Sequence, residues 1–314
     1  MKKLTILTLV LALTLGSVLS LTSCDTKADY TVGVCQFMEH PFLDAATQGF
    51  ADALNAKMEA AGKTVDIDVQ IPASSDLCST VIGTFTAKNV DLIMANGTPA
   101  VFAAGNATDK IPILGTSVTD YAEAFEGSIP ANVSGTSDAV PFNEQAQMMI
   151  DTLGLVSGDK VGVIYCSNES NSQFQYEAVK AYFEAKGIVV TKYTFADPGE
   201  LQAVASLAAS ESKAVYVPSD NTVASNETIV GTVCNEAKTP VYTSYGGTIC
   251  YASLAIDYYA RGVRTGEMAA DILLGNKSIS DIEIETLTPT VSYNEELCKA
   301  LGITVPENSD KEEG

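Results

Sequence analysis

One order of short apolar segments and amphipathic stretches occurs twice along this chain, and this repeat constrains the fold more than any other feature. Residues 32–34 read Val-Gly-Val, and residues 161–163 repeat that tripeptide. Residues 111–113, Ile-Pro-Ile, are echoed by residues 239–241, Thr-Pro-Val. The two pairs are separated by 129 and 128 residues. Because order and spacing agree, we interpret the chain as two similar halves, although any two βαβ segments share some composition.

Each half alternates strands with helices. In the first half, strands are predicted over residues 31–36, 65–71, 90–95 and 111–116. A helix over 42–61 has one apolar face, formed by Leu43, Ala46, Phe50, Leu54 and Met58. In the second half, a strand over 214–218 is followed by a late strand over 252–257 and a helix over 259–274. This alternation predicts an α/β fold of two similar doubly wound lobes with parallel sheets.

The first 23 residues have the pattern of a bacterial lipoprotein signal peptide. Two lysines precede an apolar run from Leu4 to Leu21, and residues 21–24, Leu-Thr-Ser-Cys, match the cleavage site of such signals. We predict that residues 1–23 are removed, that Cys24 is acylated, for instance with palmitate, and that residues 24–29 form a lipid-anchored tether. Cleavage without lipid and an uncleaved single-pass anchor are the alternatives.

The charge balance limits the partners. The chain has 39 acidic and 18 basic residues, a formal charge of −21. Removal of residues 1–23 would leave 16 basic residues against 39 acidic ones, a charge of −23. Such a chain is an improbable partner for nucleic acid. An anionic ligand would need local donors against this field, and only two arginines, Arg261 and Arg264, are present.

Common catalytic and metal-binding motifs are absent from the sequence. A single histidine, His40, cannot supply the His-Glu-x-x-His zinc motif, and no Gly-x-Ser-x-Gly motif occurs. Six cysteines besides Cys24 include no Cys-x-x-Cys pair, and their disulfide pairing stays undecided: Cys35, Cys78, Cys166, Cys234, Cys250 and Cys298. We therefore predict a chain without enzymatic activity, metal or cofactor.

Four segments carry a resemblance to a known family: residues 32–41, Val-Gly-Val-Cys-Gln-Phe-Met-Glu-His-Pro; 90–93, Val-Asp-Leu-Ile; 217–225, Val-Pro-Ser-Asp-Asn-Thr-Val-Ala-Ser; and 262–270, Gly-Val-Arg-Thr-Gly-Glu-Met-Ala-Ala. They resemble ABC-transporter substrate-binding proteins of the type I periplasmic-binding-protein fold, a family that includes tryptophan-binding lipoproteins. The resemblance covers nearly all of the mature chain.

This resemblance implies a three-crossover hinge and a ligand in the interlobe cleft, contacted by both halves. Together with the repeat, it gives a first lobe of residues 30–137 plus 254–288. The second lobe comprises residues 138–253 plus 289–306, and residues 307–314 are expected to be an acidic flexible tail. Phe42 departs from the family pattern, in which a smaller residue is common.

Candidate binding residues of the first half follow its strands, since ligands of parallel α/β sheets bind beyond the carboxyl ends of the strands. They are Gln36, Phe37, Glu39, His40, Asn96, Thr98, Thr116, Ser117, Thr119, Asp120 and Ser137. Hydroxyls and backbone amides at these ends suit a carboxylate held by neutral donors. His40 either contacts the ligand or caps a helix, and the same two roles are open to Glu39.

The second half supplies Asn168, Asn171, Ser219, Asp220, Asn221 and Tyr245, and Asp257 lies at the expected return crossing. Asp220 is the preferred partner of a ligand ammonium group; its alternative role is to cap the helix that begins near Thr222. Phe37, Phe42 and Tyr245 either sandwich an aromatic ligand or belong to the core. Packing is the expected role of Tyr258 and Tyr259.

These observations predict an extracytoplasmic solute-binding component of an ABC importer. It would capture a small zwitterion, an amino acid with aromatic preference, by lobe closure and deliver it to a membrane permease. We expect a monomer held at the membrane only through Cys24. The alternatives are a ligand-binding sensor subunit for a membrane receptor, a binder of a sugar or nucleoside, and a lipid-anchored hydrolase.

Overall fold

The structure is a computed structural model that describes residues 27–306 and the backbone of residues 310–312. The predicted signal peptide and the predicted lipidation site Cys24 lie outside these residues.

The first lobe is built on a six-stranded parallel sheet with the order β11-β5-β4-β3-β1-β2. Its strands are β1 (Tyr30–Gln36), β2 (Val65–Gln70), β3 (Leu92–Asn96), β4 (Ile113–Val118), β5 (Val133–Ser137) and β11 (Glu285–Thr286). Its helices are α1 (Pro41–Ala60), α2 (Ser75–Lys88), α3 (Thr98–Ala107), α4 (Tyr121–Ala124) and α10 (Tyr258–Leu273). A short 3-10 helix, Ile279–Asp281, precedes β11.

The second lobe is built on a four-stranded parallel sheet with the order β7-β6-β8-β9. Its strands are β6 (Lys160–Cys166), β7 (Val189–Phe195), β8 (Ala214–Val217) and β9 (Val241–Thr243). Its helices are α5 (Phe142–Leu153), α6 (Ser170–Ala185), α7 (Leu201–Glu211), α8 (Asn221–Ala224), α9 (Glu227–Ala237) and α11 (Glu295–Leu301), with a 3-10 helix at Pro198–Glu200.

The order of the strands confirms the predicted pair of similar doubly wound lobes. In the first sheet β2, β1, β3 and β4 are neighbours in that order, and in the second β7, β6, β8 and β9 follow the same order. The chain passes between the lobes after β5, between β10 (Ala252–Ala255) and α10, and between β11 and β12 (Thr290–Asn294). The carboxyl ends of both sheets therefore meet at one cleft.

A small third sheet was not predicted from the sequence. In it β10 pairs with β12 antiparallel, and β12 pairs with β13 (Asp310–Glu312) parallel. Part of the segment predicted to be a flexible tail, residues 307–314, is thus a strand at a sheet edge. The physical reason is that β12 offers unpaired backbone groups along that edge.

Helix α1 begins where the sequence predicts and buries the predicted face. His40 is its N-cap, Pro41 occupies its first turn, and Leu43, Ala46, Phe50, Leu54 and Met58 are buried. Helix α10 packs directly across α1, because glycines leave room for the two backbones. A Cβ atom at Gly49 would collide with the carbonyl of Tyr259, and one at Gly262 with the carbonyl of Ala46. This contact fixes the start of α10 beside the cleft.

Candidate functional site

A small enclosed cavity lies between the lobes, at the carboxyl ends of the strands. The first-lobe side contributes His40, Phe42, Leu43, Ser117, Asp138 and Tyr258, and the second lobe contributes Ser219, Asp220, Asn221, Ala224 and Tyr245. Its free volume is about 10 Å³, which is the space of a single water molecule. The lobes are therefore closed on one another at this point.

Hydrogen bonds join the lobes around the cavity. They link the His40 ring to Asn221 (3.3 Å), the Ser225 hydroxyl to the carbonyl of Glu39 (2.9 Å), the Gln175 amide to the Thr119 hydroxyl (3.0 Å) and the Ser170 hydroxyl to Glu123 (3.3 Å). In the first three bonds both partners are neutral, and in the fourth a neutral hydroxyl donates to the carboxylate of Glu123. A set of this kind can be broken and remade as the lobes open and close.

Three aromatic rings from both lobes close one side of the cavity. The ring of Phe42 lies 4.8 Å from that of Tyr245, edge to face, and 5.3 Å from that of Tyr258. The same three rings also line a pocket of about 420 Å³ on the hinge side, next to Gly246 and Asp257. The rings therefore form a partition between the cavity and this hinge-side pocket.

Glu169, Asp220, Asn221 and Thr222 form a buried group on the second-lobe side, which we call the acidic loop cluster. Glu169 accepts hydrogen bonds from the backbone N–H and side chain of both Asn221 and Thr222, at 2.7–2.9 Å. Asp220 accepts from the N–H groups of Val223 and Cys166 and from the Ser172 hydroxyl, at 2.7–2.8 Å. Both carboxylates are thus occupied by protein donors.

Burial, and next the neighbouring Glu169 carboxylate, raises the pKa of Asp220 well above its usual range. The hydrogen bonds that Asp220 accepts oppose this shift. Asp220 is the N-cap of α8, the role that the sequence left open as its alternative. Its predicted contact with a ligand ammonium stays a prediction, and such a contact would compete with these internal donors.

His40 links helix α1 to the acidic loop cluster. Its Nδ1 atom accepts from the backbone N–H of Leu43 at 3.4 Å, so in the neutral ring Nε2 carries the proton and donates to Asn221 Oδ1. Burial lowers the pKa of His40 to about 4, although Asn221 and the charge of Asp44 favour protonation. The ring is therefore neutral near pH 7 and serves as both a helix cap and an interlobe contact.

Ser117, Asp138, Tyr258 and Arg261 form a second buried group, which we call the Arg261 cluster. The Arg261 side chain is fully buried, and its guanidinium carbon lies 3.7 Å from the centre of the Tyr258 ring. Its Nη1 atom is 3.8 Å from Asp138 Oδ2, an ion pair beyond hydrogen-bond distance. The Tyr258 hydroxyl donates to the same Oδ2 at 3.3 Å.

The Arg261 cluster is rich in polar atoms that have no hydrogen-bond partner among the described residues. They are Arg261 Nε, Nη1 and Nη2, Asp138 Oδ1 and Ser117 Oγ. The Tyr245 hydroxyl, on the opposite wall, also lacks a partner within residues 27–306. Buried polar groups in folded proteins are normally paired, so this concentration at one cavity stands apart from the rest of the interior.

The structure brings six of the predicted site residues together at the cavity: His40, Ser117, Ser219, Asp220, Asn221 and Tyr245. Thr98 and Asn168 line a groove at the outer rim of the cleft, and Asp257 caps α10 beside the hinge-side pocket. Glu39 is exposed, and its carbonyl and the Thr119 hydroxyl take part in the interlobe bonds.

The other predicted residues are not at the cavity and form internal contacts. Gln36 bonds to Asp44 and Thr47, Asn96 to Leu43 and Thr47, Thr116 to Thr136, Ser137 to Thr119 and Asn171 to Ser219. Asp120 caps α4, and Phe37 lies in the core of the first lobe. Of the three rings proposed to sandwich a ligand, only Phe42 and Tyr245 line the cavity.

Sequence reasoning missed three residues at this site. Asp138 directly follows β5, the same signal that selects the other candidates, but at the end of this strand only Ser137 is among the predicted residues. Tyr258 was expected to serve packing, yet its ring lines the cavity. Arg261 enters the sequence analysis only as one of two arginines, although its spacing from Thr265, Met268 and Ala269 places it on the buried face of the helix.

Other features of the described chain do not compete for this role. A larger concavity, about 940 Å³, lies at the base of the second lobe, where α5 meets the segment after α11, away from the carboxyl ends of the strands. Between residues 27 and 306 no helix has the length and apolarity to cross a membrane. The same residues contain no group of three His, Cys, Asp or Glu side chains arranged to hold a metal ion.

Known proteins resemble this chain over most of its length. A tyrosine-binding protein of Clostridioides difficile (strain R20291) is 36% identical in an alignment 289 residues long, which covers 88% of this chain and 82% of that protein. A structure of an ABC domain in complex with L-Trp from Streptococcus pneumoniae has a TM-score of 0.81 at 29% identity. That alignment covers 90% of this chain and 99% of the other.

A ligand-free, open structure of a substrate-binding protein with adhesive properties from Clostridium difficile has a TM-score of 0.67 at 33% identity, covering 90% of this chain and 98% of that one. These likenesses confirm the predicted type I periplasmic-binding-protein fold. Residues 31–313 match the family described as ABC transporter substrate binding protein. The chain therefore belongs to the ABC-transporter substrate-binding family. The members of this family are non-enzymatic, extracytoplasmic binding proteins whose partners are a small molecule and an ABC permease.

Proposed function

We propose that this protein captures an aromatic amino acid between its two lobes and delivers it to an ABC permease. The observation that carries the proposal is the cavity itself, where rings from both lobes stand beside buried charges of both signs. Aromatic rings favour an aromatic side chain, with about 0.5–1.5 kcal/mol for each well-oriented ring pair beyond area burial. Paired charges suit a zwitterion.

The names of two relatives support the same class of ligand. One is called a tyrosine-binding protein, and another was solved in complex with L-Trp. The chain also resembles the L-Trp complex more closely in shape than the ligand-free open structure, despite its lower sequence identity to the former. This supports a closed arrangement in which the lobes surround the ligand.

A ligand of this size needs more space than the closed cavity offers. The partition formed by Phe42, Tyr245 and Tyr258 separates about 10 Å³ of free space from the hinge-side pocket of about 420 Å³. Small-molecule sites usually measure about 300–1,000 Å³. Entry therefore requires the lobes to open and these rings to turn, after which a ligand ring takes the place of their mutual contacts.

The membrane attachment is part of the proposal. A lipid on Cys24 would hold the binding domain at the outer face of the membrane, near the permease. We further propose that it acts as a monomer. Palmitate labelling of cells that express the wild-type chain and Cys24→Ser tests the anchor: the proposal requires label in the wild type and none in the variant.

The ligand is tested with a panel of the twenty amino acids, common sugars and nucleosides. Each compound is added to the chain lacking residues 1–23, and the melting temperature is recorded. A ligand at 100 times its Kd stabilises the folded state by about 2.7 kcal/mol, so L-tyrosine, L-tryptophan or L-phenylalanine is expected to raise the melting temperature most. A response to sugars or nucleosides alone would overturn the proposed ligand.

Delivery is tested separately in cells. Deletion of the gene is expected to abolish high-affinity uptake of the radiolabelled amino acid that the panel selects, and the wild-type gene to restore it. Binding in vitro with unchanged uptake would favour a sensor over a transport component.

A further inference from the structure

We propose that Arg261 and Asp138 form the head-group subsite of this cleft: the guanidinium binds the carboxylate of the amino acid, and Asp138 binds its ammonium group. The inference rests on the proposed function and extends it to two residues that were not among the predicted site residues. It replaces the expected arrangement, in which neutral donors held the carboxylate and Asp220 held the ammonium.

The strongest evidence is the state of the Arg261 guanidinium. A guanidinium has five N–H donors and keeps its charge in proteins. Here it is fully buried, yet none of its three nitrogens has a hydrogen-bond acceptor within the described residues. Asp138 at 3.8 Å and the Tyr258 ring face this charge, but a buried charged group whose N–H donors lack acceptors is still costly. A ligand carboxylate would supply two acceptors in the geometry that an arginine fork prefers.

Arg264, one turn further along α10, provides an internal comparison. Its Nε and Nη2 atoms each donate to Glu285 at 2.7 Å, and Nη1 donates to Glu267 at 3.2 Å. It is also partly exposed, at 31% of its side chain. Each guanidinium nitrogen of the partly exposed Arg264 thus has an acceptor, whereas no guanidinium nitrogen of the buried Arg261 has one. If Arg261 served only to stabilise the fold, we would expect the buried arginine to be the one whose nitrogens have acceptors.

Asp138 is the matching acceptor for the ammonium group. It is buried, it lines the cavity, and its Oδ1 atom has no donor among the described side chains and backbone groups. The adjacent Ser117 hydroxyl is equally unpaired, and Ser117 has a φ of 55°. A non-glycine residue in this left-handed region is uncommon, and strained residues of this kind cluster at functional sites.

Tyr258 explains how the subsite is covered in the closed structure. Its ring lines the cavity, its face stacks on the Arg261 guanidinium, and its hydroxyl donates to Asp138. Arg261 lies behind this ring, so a ligand reaches the guanidinium only when the ring turns aside. Tyr258 then acts as a lid that shields the charged pair from water when no head group is bound.

The experiment is calorimetric titration of three compounds into the wild type and three variants. The compounds are L-tyrosine, L-tyrosine amide, which lacks the carboxylate, and 3-(4-hydroxyphenyl)propanoate, which lacks the ammonium group. The variants are Arg261→Met, Asp138→Asn and Arg264→Met, the last being the same substitution at the satisfied arginine. A charge-assisted contact predicts that the wild type prefers L-tyrosine to either analogue by about 10- to 150-fold.

Each variant should lose one preference only. Arg261→Met is expected to bind L-tyrosine as weakly as the amide, with its affinity for the amide unchanged. Asp138→Asn is expected to lose the preference over the propanoate, and Arg264→Met to keep both preferences. An Arg261→Met protein that still prefers L-tyrosine to its amide would overturn the proposal.

The outcomes separate the two levels of inference. If the wild type binds no amino acid at all, the proposed function fails. If it binds L-tyrosine but binds both analogues equally well, the function stands and the head-group subsite is wrong. This second comparison needs only the wild type, so it decides the question even if a variant does not fold. A folded Arg261→Met with an unchanged or higher melting temperature further supports a ligand role, whereas a lowered one argues for a structural role.

Discussion

Two buried charged groups face the same cavity from opposite lobes, and they differ in how their hydrogen bonds are used. In the acidic loop cluster, Glu169 accepts four hydrogen bonds and Asp220 three, all from the protein. In the Arg261 cluster, the guanidinium nitrogens and one carboxylate oxygen of Asp138 have no hydrogen-bond partner among the residues described. Burial and position at strand ends are alike in the two clusters, so neither property identifies a ligand contact. The property that identifies a ligand contact is the hydrogen-bonding capacity that Arg261 and Asp138 leave unused.

This difference assigns different tasks to the two sides of the cleft. The acidic loop cluster fixes the loops after β6 and β8, and its carboxylates would gain little from a ligand. The Arg261 cluster is costly in the absence of a ligand, and that cost is recovered on binding. Such a site destabilises the unliganded protein and strengthens the preference for the liganded state.

Breaking the acidic loop cluster should have the largest effect. Asp220→Ala leaves the buried donors of Cys166, Ser172 and Val223 without an acceptor, which is expected to lower the free energy of unfolding by about 3–5 kcal/mol. Urea unfolding of the unliganded protein measures this loss. Asp220→Asn, which keeps an acceptor at this site, is the control and should lose less. An Asp220→Ala protein of normal stability but weakened ligand binding would reverse the roles of the two clusters.

The contact that His40 makes between helix α1 and the acidic loop cluster can be tested through the pH dependence of stability. Because the pKa of His40 is lowered to about 4 in the folded protein, the unfolded chain binds a proton on this residue that the folded chain does not. Stability from this source is present above about pH 6.5 and is lost as the pH falls to 4, by about 3 kcal/mol in total. His40→Asn retains a capping side chain but does not titrate, so the difference between the two unfolding curves isolates His40. Parallel curves from pH 7 to 4 would contradict the assignment.

A smaller effect is expected on the cavity wall. The Tyr245 hydroxyl is buried without a partner among the described residues, and burial together with the charge of Glu227 raises the pKa of Tyr245. Tyr245→Phe removes this unsatisfied group, so the unliganded protein should be unchanged or more stable by about 1 kcal/mol. Differential scanning calorimetry with and without L-tyrosine measures both states. A loss of stability confined to the unliganded protein would mean that the hydroxyl has a structural partner.

Much of the fold was predictable from the sequence because periodicity reports burial directly. The five buried residues of α1 and the equivalent strand orders of the two lobes follow from the repeat and its apolar spacing. The small third sheet was not predictable, since β10, β12 and β13 come from distant parts of the chain and their pairing depends on the crossovers.

The site was only partly predictable for a different reason. The rule of strand ends selected His40, Ser117 and Asp220, which do line the cavity. It selected Gln36 and Asn96 equally, whose side chains turn back to α1. The rule selects positions along the chain, but it does not say whether other protein groups already form hydrogen bonds with the side chain at each position. Arg261 lies on a helix whose face is set by the close contact of Gly49 and Gly262 with neighbouring backbones, which only the folded chain displays.

The most direct test of ligand binding by the Arg261 cluster is nitrogen-15 NMR of the arginine side chains during titration with L-tyrosine. The chain contains only two arginines, so the Nε–Hε signals of Arg261 and Arg264 are few enough to be assigned with the Arg264→Lys variant. The Arg261 signal is expected to shift until the site is saturated, while the Arg264 signal stays in place because Glu285 and Glu267 already hold it. Saturable binding of L-tyrosine with a stationary Arg261 signal would contradict the claim that this guanidinium holds the ligand.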